Sequence, residues 1–157
     1  MRKPMIGVAV AVLFAIGASA ALAALPGVTS EGTAAPKVKP TTIVYTGDGN
    51  ALFAGAQAVS KTNFGSIQWS KWNKKKAAGS GGNWLNDCKP DCARGKFHGY
   101  PVTLSLSRPR TVVGKRVFTR MTVTYTQNLP PHAIKTTTWK LRHSGKAFFW
   151  KYPPNAI

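Results

Sequence analysis

From residue 42 onward, apolar and polar positions mostly alternate with period two. The clearest stretch is 101–109, PVTLSLSRP, where Val102, Leu104 and Leu106 alternate with Thr103, Ser105 and Ser107. This predicts a strand with one face in a core, ended by Pro101 and Pro109, where a missing amide donor does not harm the ladder. Residues 116–126 set Val117, Thr119, Met121, Val123 and Tyr125 against Phe118, Arg120, Thr122 and Thr124. Residues 135–143 and 146–152 read as a closing hairpin around Ser144-Gly145. Residues 41–46 read as a strand ended by the turn Gly47-Asp48-Gly49-Asn50, and 77–86 as a glycine-softened strand pairing back on 65–72. In 65–72, Ile67 and Trp69 share a face, and strict alternation sends Trp69 and Trp72 to opposite faces. Only 50–61, NALFAGAQAVSK, offers a helix, a short one interrupted by Gly55. The pattern predicts an all-β domain, a single antiparallel β-sandwich or small barrel of about five to seven strands.

The start of the chain follows a different pattern. Met1-Arg2-Lys3-Pro4 is basic, 5–17 is uncharged and largely apolar, and 18–24, ASAALAA, is rich in small side chains. That layout predicts a secretory signal peptide over 1–24, cleaved between Ala20 and Ala24, with export as its consequence. The apolar run falls short of the roughly 20 residues of a spanning helix. Residues 25–41 are rich in Pro, Thr, Ala and Gly and lack periodicity, which predicts a flexible tether ahead of the domain over 42–157.

Charge narrows the partners. The chain has 22 Lys and Arg against 4 Asp and Glu; without Arg2 and Lys3 the balance is 20 against 4, a net +16. Such a field attracts polyanions. Outside a cell these are anionic lipid headgroups, envelope and wall polymers and acidic glycans, with nucleic acid bound only non-specifically. The densest groups are Lys71, Lys74, Lys75 and Lys76, and Arg108, Arg110, Lys115, Arg116 and Arg120. Gathered by turns at one end of the fold, they would form one basic rim. Trp69 and Trp72, next to the lysines, could stack on sugars or bases if exposed, or pack in the core.

The chain's two cysteines lie in NDCKPDCARG, 86–95. Zinc sites usually need four Cys or His ligands, and here only His98 lies near. The thioredoxin-like motif has two residues between its cysteines, not three. Export places the thiols in an oxidising compartment, so Cys88 and Cys92 are expected to form a disulfide. Pro90 then sits at the second position of a turn, where type I or II geometry suits it. So small a loop gains only about 2 kcal/mol from closure, so the bridge shapes a loop more than it holds the domain.

GDGNA, IQWSKW, AAGSGG, NDCKPDCARGKFHGYPVTL and FTRMTVTYT together resemble a group of small secreted actinobacterial proteins of unknown function, marked by an N-x-C-x-P-x-C-A-x-G loop. The resemblance implies export and carries over no catalytic residue. Many members of that group carry a further cysteine just before the acidic turn, where this chain has Thr46.

Catalytic groups are few. Asp87 and Asp91 flank the cysteine loop, where turn roles are ordinary, and His98, His132 and His143 sit in no motif. There is no G-x-S-x-G, H-E-x-x-H or phosphate-cradling loop, and nothing that asks for a cofactor or metal. The expectation is a monomeric, non-enzymatic secreted or wall-associated domain that binds anionic envelope or extracellular components. The alternatives are a protein-interaction module using the aromatic C-terminal strand FFWKY, 148–152, and a small hydrolase with an unfamiliar site.

Overall fold

The computed structural model describes residues 24–32 and 35–157; the expected signal peptide, 1–24, lies outside these residues except for Ala24. The described chain forms one antiparallel sheet of eight strands curled into a half-barrel. The strands are β1 (Ile43–Val44), β2 (Ala51–Ala54), β3 (Gln68–Trp72), β4 (Ala77–Asn86), β5 (Phe97–Val112), β6 (Lys115–Tyr125), β7 (Thr136–Ser144) and β8 (Ala147–Lys151). Their order is β1-β2-β4-β5-β6-β7-β8, and β3 pairs with the first half of β4 while β2 pairs with its second half.

The predicted alternation fixes the core. Val102, Leu104 and Leu106 of β5 are buried with Met121, Val123 and Tyr125 of β6, Trp139 and Leu141 of β7, and Phe148 and Trp150 of β8. On the other face Thr122 and Thr138, and Thr124 and Thr136, stand directly opposite across β6 and β7. β5 runs through both prolines rather than ending at them. Pro101 pairs with Gly82 and Pro109 with Phe118, and the Pro101 carbonyl accepts from the Thr126 amide.

A buried polar chain crosses the core. The Tyr45 hydroxyl donates to Asn83 Oδ1 (2.6 Å), Asn83 Nδ2 donates to the Tyr125 hydroxyl (2.8 Å), and that hydroxyl donates to the Ala156 carbonyl (3.0 Å). Asn83 is fully buried, so these bonds are what makes an amide tolerable there.

The expected helix over 50–61 is absent; Ala51–Ala54 is β2, buried on both faces. Phe53 enters the main core, whereas Leu52 and Ala54 pack with Trp84 in a second cluster. A short apolar run covered on two sides shows no strand periodicity, which is why it read as helix.

The expected tether is packed over its described residues. Gly27 bridges to Val117, the Gly27 amide donates to the Arg116 carbonyl, and Val28 and Thr29 are buried. Indole N–H groups fasten the segment: Trp72 donates to the Pro26 carbonyl, Trp69 to Pro40 and Trp150 to Thr29, at 2.8–3.0 Å. The Glu31 amide donates to Val44 on the edge strand β1, and the Gly32 amide to Phe148 on the opposite edge strand β8. The segment thus spans the seam that the curled sheet leaves open, satisfying backbone groups at both edges. The packed domain therefore includes residues ahead of Thr42.

Candidate functional site

An antiparallel meander puts its alternate turns at the same end. The β3–β4 turn, the β5–β6 turn and the β7–β8 turn therefore share one end of the sheet, and the β4–β5 cysteine loop, the β6–β7 loop and the β1–β2 turn share the other. Lys74, Lys75 and Lys76 make up the β3–β4 turn, capped by Asn73 Oδ1, which accepts from the Lys75 and Lys76 amides. Ala77 pairs with Leu106, so this turn lies level with Ser107 and Arg108 on β5. Beyond it β5 and β6 project as a hairpin bearing Arg110, Lys115 and Arg116. Its two-residue tip, Val113-Gly114, has φ of 47° and 69°, the mirror-image turn that suits hairpin twist and favours glycine at its second position. The two basic groups named from the sequence thus lie at one end.

β7 and β8 add further cations. Arg120 lies directly opposite Lys140, and Lys140 opposite Lys151, so three positive side chains form a rank across β6, β7 and β8. Like charges at directly opposed positions destabilise a sheet. The β6–β7 ladder stops at this rank. A cleft of about 320 Å³ opens there, lined by Arg108, Thr119, Arg120, Lys140, Leu141 and Arg142. The Thr119 hydroxyl donates to the Arg108 carbonyl at 2.7 Å, holding Arg108 at a φ of 53°. Four cations therefore border one small opening. Lys140 and Arg142 could have been noticed as solvent-facing partners of Thr137, Trp139 and Leu141, but their meeting with Arg120 depends on register across a loop.

Asp87 and Asp91 sit away from this end, whereas Glu31 and Asp48 line a cavity with Phe149, Trp150 and Tyr152, which flank Lys151. Asp48 occupies the β1–β2 turn, and Asp87 and Asp91 the cysteine loop. Glu31 shares a cavity with Asp48, and burial followed by the Asp48 charge raises its pKa above the usual carboxylate value. The two ion contacts among the described residues, Arg94–Asp91 and His98–Asp87, both belong to the cysteine loop.

Trp69 and Trp72 lie on one face, not on opposite faces. A register shift between Trp69 and Lys71 inserts an extra residue, and the two indoles meet edge to face at 4.7 Å. Both are half-buried against the core and hold the N-terminal segment through their N–H groups. The aromatic C-terminal strand divides similarly: Phe148 and Trp150 are core, and Phe149 faces outward.

The Cys88 and Cys92 sulfurs are 2.03 Å apart, as a disulfide. The Lys89–Pro90 peptide is cis, and the hydrogen-bonded turn of the loop falls over 91–94, where the Arg94 amide donates to the Asp91 carbonyl, rather than at the expected 89–92. Asp87 organises the loop: its Oδ1 accepts from the Lys89 and Lys96 amides and its Oδ2 contacts His98 Nε2 at 3.0 Å. The Lys96 amide first, then His98 and the Lys89 amide, hold its pKa at about 2, below the ordinary 3.8. This is an acid–imidazole contact, but the carboxylate is engaged in shaping the turn. Comparison with protein-family models, curated proteins and solved structures returned no match.

Proposed function

We propose that this is an exported, non-enzymatic β-domain whose basic end associates with anionic polymers or lipid headgroups of the cell envelope or its surroundings. The observation that carries this reading is the Arg120–Lys140–Lys151 rank beside the four-cation cleft, whose lining residues include no carboxylate. Opposed cations leave a local field that a phosphate, sulfate or carboxylate group relieves. Lys74, Lys75 and Lys76 and the β5–β6 hairpin widen the field, so that a polymer or surface meets several cations together. Cleft and rank are preformed on paired strands, which lowers the ordering cost of binding.

The test is titration of the chain from residue 24 onward with anionic lipid vesicles and with a sulfated polysaccharide, at low and high salt. The wild type should bind at low salt and weaken steeply as salt rises, because counterions compete for the same charges. Arg120→Ala/Lys140→Ala/Arg142→Ala and Lys74→Ala/Lys75→Ala/Lys76→Ala should each weaken binding, with the first set having the larger effect. No binding at low salt, or equal binding by both variants and wild type, would contradict the proposal.

A further inference from the structure

The proposed anion association leaves the cysteine loop without a role. We propose that this loop forms one wall of a second site, on the outer face at the opposite end, that takes a small aromatic acid. A cavity of about 400 Å³ lies between the bend at 58–64 and the loop segment 94–97, within the range of about 300–1,000 Å³ common for small-molecule pockets. Its floor is aromatic: Phe64 stacks on Trp84 at 4.6 Å and meets Phe97 at 4.9 Å. Trp84 is fixed on both sides. Its indole N–H donates to the Gly55 carbonyl, and a side chain at Gly99 would come within 2.7 Å of its ring, so only glycine lets the ring lie that close to the sheet.

Both walls are built before any ligand arrives. In the bend, the Val59 and Ser60 amides donate to the Asn63 carbonyl, which sets Lys61 at the tip, where it lines the cavity. In the loop, Asp87 and Lys96 exchange backbone and side-chain hydrogen bonds, and the disulfide closes the segment just ahead of Arg94. The staple therefore shapes a pocket wall. The cavity's charge is positive. Arg94 is committed to Asp91 and Asp87 is turned into its own loop, whereas neither Lys61 nor Lys96 takes part in an ion pair among the described residues. An apolar ring system on the floor, with a carboxylate or sulfonate held by Lys61 and Lys96, satisfies both features.

The probe is 2-naphthoate, followed by calorimetry and by amide and indole NMR shifts, with acetate and neutral 2-naphthamide beside it. Naphthoate should bind one site and shift the Trp84, Gly95 and Phe97 signals, and acetate should not bind at the same concentration. Lys61→Ala/Lys96→Ala, which alters only exposed side chains, should bind naphthoate up to about tenfold more weakly and leave the weaker naphthamide binding unchanged. Lys74→Ala/Lys75→Ala/Lys76→Ala should bind naphthoate like wild type. The proposal is overturned by absence of naphthoate binding, by equal binding of acetate, by no loss in Lys61→Ala/Lys96→Ala, or by an equal loss in the lysine-turn variant.

Discussion

Replacing Lys140 by glutamate should stabilise the free domain while weakening its binding of anions. Lys140 stands between Arg120 and Lys151, each directly opposite it in the ladder. Lys140→Glu converts two opposed like-charge pairs into opposite-charge pairs. Directly opposed pairs contribute about 0.2–1 kcal/mol each, and exposed ion pairs tend to the lower part of that range. Lys140 and Lys151 are exposed and Arg120 is half-buried, so the total swing is about 0.5–1.5 kcal/mol at low salt. For a domain of this size that raises Tm by roughly 2–5 °C. Lys140→Ala removes repulsion without adding attraction and should gain about half as much. Thermal unfolding by circular dichroism measures both, at about 0.01 M and about 1 M salt, where the screening length falls from about 30 Å to about 3 Å. The gain should largely vanish at high salt. A loss of stability in Lys140→Glu at low salt, or a gain indifferent to salt, would refute the reasoning and with it the assigned register of the rank.

Leu104→Ala removes a side chain that is 1% exposed in the centre of the core and should cost ~2–5 kcal/mol by denaturant unfolding; a cost below about 0.5 kcal/mol would mean that the face assignment of β5 is wrong. Asn83→Leu deprives the Tyr45 hydroxyl of its acceptor and the Tyr125 hydroxyl of its donor. It should cost ~2–4 kcal/mol, since each unsatisfied buried group costs about 1–3 kcal/mol and Tyr125 keeps its bond to Ala156; a near-neutral result would deny that the network stabilises the core. The folded-state pKa of Asp87, about 2, lies below its ordinary 3.8. Its contribution to stability is therefore present above about pH 4 and lost as pH falls from there toward about 2. Asp87→Asn should flatten this part of the acid-unfolding profile, and a carboxyl titrating near 4 by NMR would contradict the hydrogen-bonded geometry.

The strands over 101–126 were legible because each buries one face against a single core, so Val102, Leu104, Leu106, Met121 and Val123 carry a clean period of two. Legibility failed wherever that condition failed. β2 is covered on both faces and lost its alternation. The segment at 25–41 has no periodicity of its own, yet the indoles of Trp69, Trp72 and Trp150 hold it by hydrogen bonds to its carbonyls. Such bonds depend on the path of the backbone and leave no pattern in side-chain types. The bulge after Trp69 shifted Trp72 to the face opposite that which alternation assigned. Clusters close in sequence, such as Lys74–Lys76, could be named from the sequence. The Arg120–Lys140–Lys151 rank needed two long-range registers, and the Phe64–Trp84–Phe97 floor needed three separate segments to converge. Asp87 and His98 are eleven residues apart and meet because β4 and β5 pair across the cysteine loop.

The most direct test of the basic end is an amide chemical-shift map during titration with a sulfated polysaccharide at low salt. The shifts should fall on 73–76, on the hairpin at 108–120 and on 140–151, and should reverse as salt is raised. Saturable shifts centred instead on the cysteine loop, or spread evenly over both ends of the sheet, would contradict the assignment of anion binding to the end where the three turns meet.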